Sequence, residues 1–314
     1  MMSRNYRFTT LDVFTEEKFA GNPLAVFPEA EGIPEELMQK IAREMNLSET
    51  VFVLPPTDPK ALRKLRIFTP SRELPLAGHP VVGTWNLLAR ESVVAPPAGG
   101  SGTVEIMHEL GVGTLPVEIE FADGQPRQVI MTQAEFKAGP IVDDPIERAA
   151  IEMGLGLAPE DFEQTLPIQA VSTGIFALAV PLASIDALGR CRVNSQVLGD
   201  AYLKTGAVGC LPFVRESMDG PPSLVHSRFF APADNIPEDP ATGSAAGSLS
   251  AYLVHHGGLS IEPEEGVYRF TIEQGDFMGR PSRINVQITG QKGRIDHVQV
   301  GGPSVVLLSG KLSI

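Results

Sequence analysis

The chain has 314 residues, 43% of them hydrophobic, which is enough to bury a full core and on length favours two domains over one. With 38 acidic against 25 basic residues the net charge is −13, and no basic cluster is longer than Arg63-Lys64-Leu65-Arg66, so nucleic acid and anionic membrane surfaces are excluded as expected partners. The two cysteines, Cys191 and Cys210, stand in no metal-ligand or redox spacing and read as small buried hydrophobes rather than a disulfide framework.

In chain order, MMSRNYRFTTLDVF lacks an apolar signal region, and the longest strongly apolar stretch, GIFALAVPLA, is too short to span a bilayer. The cytoplasm is the expected location. Residues 8–14 alternate towards Val13 as a strand, and 24–27 form a second apolar run. PEELMQKIAREMN carries a proline at its start, glutamates in its first turn and Leu37, Ile41 and Met45 four apart, the pattern of an amphipathic helix. It feeds the strand TVFVL; 65–69 is another strand, and PVVGTWNLLAR reads as a helix opening on Pro80. APPAGGSG at 95–102 is a turn-rich loop. Strands near 114–121 and 128–132 are joined through ADGQP as a hairpin. GPIVDDP has no periodic pattern, which places a domain boundary near residue 133: an N-terminal domain 1–132 and a C-terminal domain 133–302. The chain closes on strands 283–289, 295–300 and 304–313, with the stretch from about 303 to 314 expected to return to the first domain.

An internal repeat supports that division. Arg66-Ile67-Phe68-Thr69-Pro70 leads through a loop to Gly78-His79-Pro80 and a helix. Arg228-Phe229-Phe230-Ala231-Pro232 leads through a slightly longer loop to Gly243-Ser244-Ala245-Ala246 and a second helix. A weaker echo links GNPLAVFP at 21–28 with GIFALAVP at 174–181. The expected fold is therefore two similar α/β domains, each presenting one helix N-terminus. Under pseudo-twofold symmetry the two helix starts are expected to face each other across an interdomain cleft and bind one small anion there.

Glu49 sits in NLSET at the mouth of an apolar strand. It is either a solvated junction residue or a partly desolvated carboxylate suited to acid/base work. His79 follows Gly78 at a helix start, where the dipole disfavours the imidazolium; it reads either as a neutral ligand-contacting imidazole or as a structural histidine. Asp239, before Pro240, is either the N-cap of the second helix or a second acid/base group facing Glu49. Ser244 is placed to donate to a substrate carboxylate. His255 and His256 read as the last turn of a helix before its glycine stop. His108, His226 and His297 have no informative neighbours. No phosphate-binding loop, dinucleotide fingerprint or metal-ligand spacing is present, so the expected chemistry uses no cofactor and no metal: proton transfer on a small organic acid.

In combination FAGNPLAVF, NLSETVFV, FTPSRELPLAGHPVVGT, EDPATGSAAG and QGDFMGRPS resemble the PhzF (phenazine biosynthesis) family from about residue 10 to about 302. The resemblance implies the diaminopimelate epimerase-like fold, two pseudo-symmetric α/β domains each with a sheet around a central helix. It implies an isomerase that moves a proton between ring carbons of trans-2,3-dihydro-3-hydroxyanthranilate or a similar small carboxylate. The same resemblance gives the proton shuttle to Glu49, makes His79 and Asp239 catalytic residues that contact the substrate and support the transfer, and places Ser48, Gly78, Gly243 and Ser244 along the pocket. Glu238 matches no assigned role and reads as a solvated carboxylate. In the epimerase branch two cysteines act as the bases, but the equivalent motifs here, AGHP and ATGSA, have none. A homodimer is also implied. The competing expectations are a lyase removing water from a small hydroxy acid and a non-catalytic carboxylate-binding protein.

Overall fold

The computed structural model describes residues 4–314. They divide into two units, one running to Met131 and including Gly301–Ile314, the other Thr132–Val300.

In the first unit the chain runs β1 (Asn5–Val13), β2 (Asn22–Phe27), α1 (Glu35–Met45), β3 (Glu49–Leu54), β4 (Lys64–Phe68), β5 (Glu73–Leu74), α2 (Gly78–Arg90), β6 (Gly102–Leu110), β7 (Gly113–Ala122) and β8 (Gln125–Thr132). β1 pairs antiparallel with β2, β2 parallel with β3 through the α1 crossover, and β3 antiparallel with β4. β4, β6, β7 and β8 continue the sheet. α2 packs against β1, β2, β3 and β7, and the residues from His79 to Ala89 are all buried. A helix buried all round has no polar face, which is why PVVGTWNLLA shows no amphipathic stripe. Close packing depends on Gly83: a Cβ there would stand 2.6 Å from Leu24 Cδ2 and 2.7 Å from Val13 Cγ2. α1 covers the other side of the sheet, its Met38, Ile41 and Ala42 meeting Phe27, Phe52 and Phe68.

The second unit continues with β9 (Lys137–Ile141), α3 (Pro145–Leu155), β10 (Gln169–Ser172), β11 (Phe176–Pro181), α4 (Ile185–Arg190), α5 (Ser195–Lys204), β12 (Gly209–Val214), β13 (Ser223–Ser227), β14 (Phe229–Ala231), β15 (Ile236–Asp239), α6 (Gly243–His256), β16 (Val267–Gln274) and β17 (Ser282–Gln291). β18 (Arg294–Gly302) then leads the chain back to β19 (Ser304–Ser313), which pairs antiparallel with β1. The plan of the first unit recurs. β10 pairs antiparallel with β11, β11 parallel with β12 through a helical crossover, β12 antiparallel with β13 and β14, and a buried helix, α6, follows β15.

Several expectations are met closely. α1, β3 and β4 lie within a residue of the predicted spans, and Gly257 ends α6 in the left-handed region, φ 69°, directly after His255 and His256. Two differ. α2 begins at Gly78, two residues before the proline taken as its opening, because Pro80 is tolerated inside the first turn. β6, absent from the reading of the sequence, is a full strand paired with β7. Its inward position at residue 108 holds a histidine whose Nδ1 accepts the Trp85 indole N–H at 3.0 Å, so a polar residue interrupts the apolar alternation inside the core. Among the described residues no helix is long and apolar enough to cross a membrane.

Candidate active site

The parallel register of β2 and β3 sets Glu49 opposite Leu24, and Leu24 rests on Gly83 of α2. Opposed residues share a face of the sheet, so Glu49 is directed to the α2 side. There its Oε2 stands 3.1 Å from Nε2 of His79, the second residue of α2, with the two side chains 15% and 8% exposed. Ser48 and Gly78 flank this pair, both partly buried. Glu49 is thus neither a core residue nor a freely solvated one. Desolvation pushes the His79 imidazole down to about 3, so it is neutral at physiological pH and able either to donate or to accept a proton in a hydrogen bond.

In the second unit Asp239 ends β15, and the N-cap of α6 is Thr242, whose side chain makes no capping bond. The N-cap reading of Asp239 is corrected accordingly: the helix starts four residues beyond it, and the Thr242 hydroxyl, instead of capping the helix, donates to Asp239 Oδ2. Gln274 Nε2 donates to the Asp239 carbonyl at 2.7 Å. Gly243 is buried and Ser244 partly buried in the first turn of α6. Glu238 is also corrected. It is not solvated but accepts both prongs of Arg228, Nε at 2.8 Å and Nη2 at 2.7 Å.

Helix starts separate into two kinds. Asp144, Ser184 and Asn194 cap α3, α4 and α5 with side-chain oxygens, and α1 carries Glu35 and Glu36 in its first turn. α2 and α6 have neither a side-chain cap nor an acidic residue in the first turn. Their first-turn N–H groups and positive dipole ends are left for an external acceptor, the condition for binding a carboxylate.

Register also shows that the Glu49 carboxylate has no counterpart in the second repeat. Leu24 in the first repeat corresponds to Ala177 in the second, and Ala177 is paired with Gly209, where Leu24 is paired with Glu49. A Cβ on Gly209 would lie 2.4 Å from the Phe229 ring, so the second unit has no room for a side chain there. Cys191 and Cys210 are buried and unbonded to each other; burial pushes the Cys191 thiol up to about 11 and Cys210 well above its ordinary value. Among the described residues no group of three or more His, Cys, Asp or Glu is placed to hold a metal ion.

The buried histidines have a consequence for stability. His108, like His79, is depressed by burial, to about 4. An unfolded histidine titrates near ~6.5, so below that value the unfolded chain binds protons the native state refuses, and stability falls as pH falls. The expected slope is up to about 1.4 kcal/mol per pH unit for each such histidine. His108→Gln keeps an acceptor for Trp85 and removes one titrating group, so urea melts between pH 7 and 4 should show a shallower loss than wild type. Equal slopes would mean that His108 does not resist protonation in the folded protein.

Comparison with known proteins adds to this geometry. The family model for phenazine biosynthesis-like protein, PhzC-PhzF, matches residues 11–310. An uncharacterised isomerase of Mesorhizobium japonicum is 38% identical, with 100% of each chain covered. The trans-2,3-dihydro-3-hydroxyanthranilate isomerase of Pseudomonas aeruginosa is 34% identical over 98% of this chain and 99% of its own. The crystal structure of a Bacillus anthracis phenazine biosynthesis protein of the PhzF family superimposes with a TM-score of 0.86 at 26% identity, covering 99% of this chain and 100% of that one. With its repeated sheet-and-helix units and this family-wide similarity, the chain belongs to the PhzF phenazine biosynthesis-like family, an isomerase of the diaminopimelate epimerase-like fold.

Proposed function

We propose that the protein shifts a proton between carbons of a small cyclic amino or carboxylic acid resembling trans-2,3-dihydro-3-hydroxyanthranilate, with Glu49 as the acid/base. The observation that carries this reading is Glu49 at the mouth of β3, 3.1 Å from a neutral His79 in the uncapped first turn of α2. The Glu49 carboxylate takes a proton from one carbon and delivers a proton to another, the carried proton exchanging in part with solvent, so atoms balance without redox change. Negative charge that develops on the substrate is stabilised by the neutral His79 and by N–H donors at an open helix start. Asp239, Ser48, Gly78, Gly243 and Ser244 are assigned to holding the substrate and its carboxylate. The relative from Pseudomonas aeruginosa, named for that substrate, supports the choice.

The test is NMR in D₂O with dihydro-hydroxyanthranilate and a panel of cyclic and β-hydroxy amino acids. Deuterium entering a carbon position, or isomerisation at unchanged product mass, is the expected result and names the substrate class. Loss of water from a β-hydroxy acid would move the assignment to a lyase. Binding without any exchange would leave a carboxylate-binding protein and overturn the proposal.

A further inference from the structure

The segment QGDFMGRPS begins at the end of β16, and its first residue, Gln274, touches the site through one side-chain amide. Gln274 Oε1 accepts the Thr242 N–H at 3.2 Å, while Nε2 donates to the Asp239 carbonyl at 2.7 Å and to Thr242 Oγ1 at 3.1 Å. The main-chain N–H and C=O fix which end of the amide is which, because the flipped amide would set donor against donor and acceptor against acceptor. Gly275 makes the approach possible: at φ 85° it lies so close to the preceding turn that a Cβ would be 2.6 Å from the Pro240 carbonyl oxygen.

A fixed amide fixes the hydroxyl. Thr242 Oγ1 receives the Nε2–H of Gln274, so its single proton is left for its other neighbour, Asp239 Oδ2. We propose that Gln274 is a positioning residue: through the Thr242 hydroxyl it holds Asp239 as a charged acceptor with Oδ2 unprotonated. Asp239 then orients a donor group of the substrate as a carboxylate, leaving Glu49 to carry the proton. The inference rests on the reading that Asp239 serves the substrate. Among the charged groups on the neighbouring strands and loops of the unit, Arg228 holds Glu238, His226 and the N–H groups of Met218 and Asp219 hold Glu273, and Arg283 holds Asp219 and Asp276. Arg280 follows in the loop after β16, and Asp234 is exposed on the turn packed against β15.

The test reads Asp239 directly. With ¹³C-carboxyl aspartate incorporated and the Asp239 signal assigned by its loss in Asp239→Asn, the carboxyl is titrated by NMR in wild type, Thr242→Val, Thr242→Ser and Gln274→Met. One hydrogen bond to the charged form lowers a carboxyl midpoint by about one unit. Thr242→Val should therefore raise it by about that much, Thr242→Ser should restore it, and Gln274→Met should raise it part of the way, with nothing further gained in the double variant with Thr242→Val. A Thr242→Val protein that titrates with wild type, or a serine that fails to restore the midpoint, overturns the proposal; so does a Gln274→Met effect that adds fully to Thr242→Val. Thr242→Val keeps the shape of the side chain and Thr242→Ser removes only one methyl, so both keep the test open if Gln274→Met does not fold. None of these readings depends on turnover, so a failed isomerase assay and a failed hydroxyl relay are separate results.

Discussion

Glu49→Gln is expected to slow carbon deuterium exchange by about 10²–10⁴-fold, the range for removing a general acid/base, with little change in KM. Glutamine keeps the size of the side chain and can still sit 3.1 Å from His79, so the loss isolates the proton-carrying function from packing. Glu49→Asp keeps the charge but withdraws it by one methylene, and its rate should fall between the two. The alternatives on the chain are weak. The cysteines, raised by burial, supply no thiolate at neutral pH. The position equivalent to Glu49 in the second repeat is Gly209, closed by Phe229. On the proposed reading a single carboxylate both takes and returns the proton, which predicts partial retention of the original proton when turnover in D₂O is fast. Initial rates by NMR at saturating substrate decide the matter. A Glu49→Gln protein with more than a tenth of wild-type exchange would remove Glu49 from the role.

How much of this was legible in the sequence depends on whether the signal was local. α1 was readable because Leu37, Ile41 and Met45 recur at helical spacing over one amphipathic face. Glu49 and His79 were readable as candidates because each sits where an element begins, and the repeat pointed to both helix starts. What could not be read was pairing over distance. Gln274 is 35 residues from Asp239, and His226 is 47 from Glu273, with nothing in either spacing to announce a bond. Glu273 shows how far such pairing changes a residue. Burial alone would raise its pKa, but His226 and the N–H groups of Met218 and Asp219 hold it down to about 2. β6 was missed for a related reason, since His108 occupies an inward position that apolar alternation would leave to a hydrophobe. Glu238 was the avoidable error. Placed beneath one another without a gap, Glu73-Leu74-Pro75-Leu76-Ala77-Gly78 and Glu238-Asp239-Pro240-Ala241-Thr242-Gly243 align both glutamates, and each closes on the arginine that opens its own repeat.

That shared pair gives the largest expected effect on stability, and the two copies serve as controls for each other. Arg66 lies over Phe68, 5.2 Å from its centroid, and bonds Glu73 at 2.7 and 2.6 Å; Arg228 lies over Phe230 at 4.8 Å and also over Phe277 at 5.3 Å. Burial separates them: Glu73 is 38% exposed, Glu238 only 15%, and Arg228 itself 9%. Arg228 further donates to the Leu188 carbonyl at 3.0 Å, tying the end of α4 to the approach to Asp239. Removing one partner of a buried pair leaves an uncompensated charge, so Arg228→Ala is expected to cost about 3–5 kcal/mol. Arg66→Ala, in the more exposed copy, is expected to cost about 1 kcal/mol or less. Arg228→Lys retains charge but not the fork or the stacked plane, and should recover only part of the loss. Urea unfolding midpoints of the three variants measure this directly. Equal losses at Arg66 and Arg228 would show that the motif, rather than its burial, sets the energy. Because Glu238 adjoins Asp239, the unequal result carries a functional corollary: exchange activity should fall in Arg228→Lys even at temperatures where the protein remains folded, while Arg66→Lys leaves Asp239 and its Thr242 bond undisturbed.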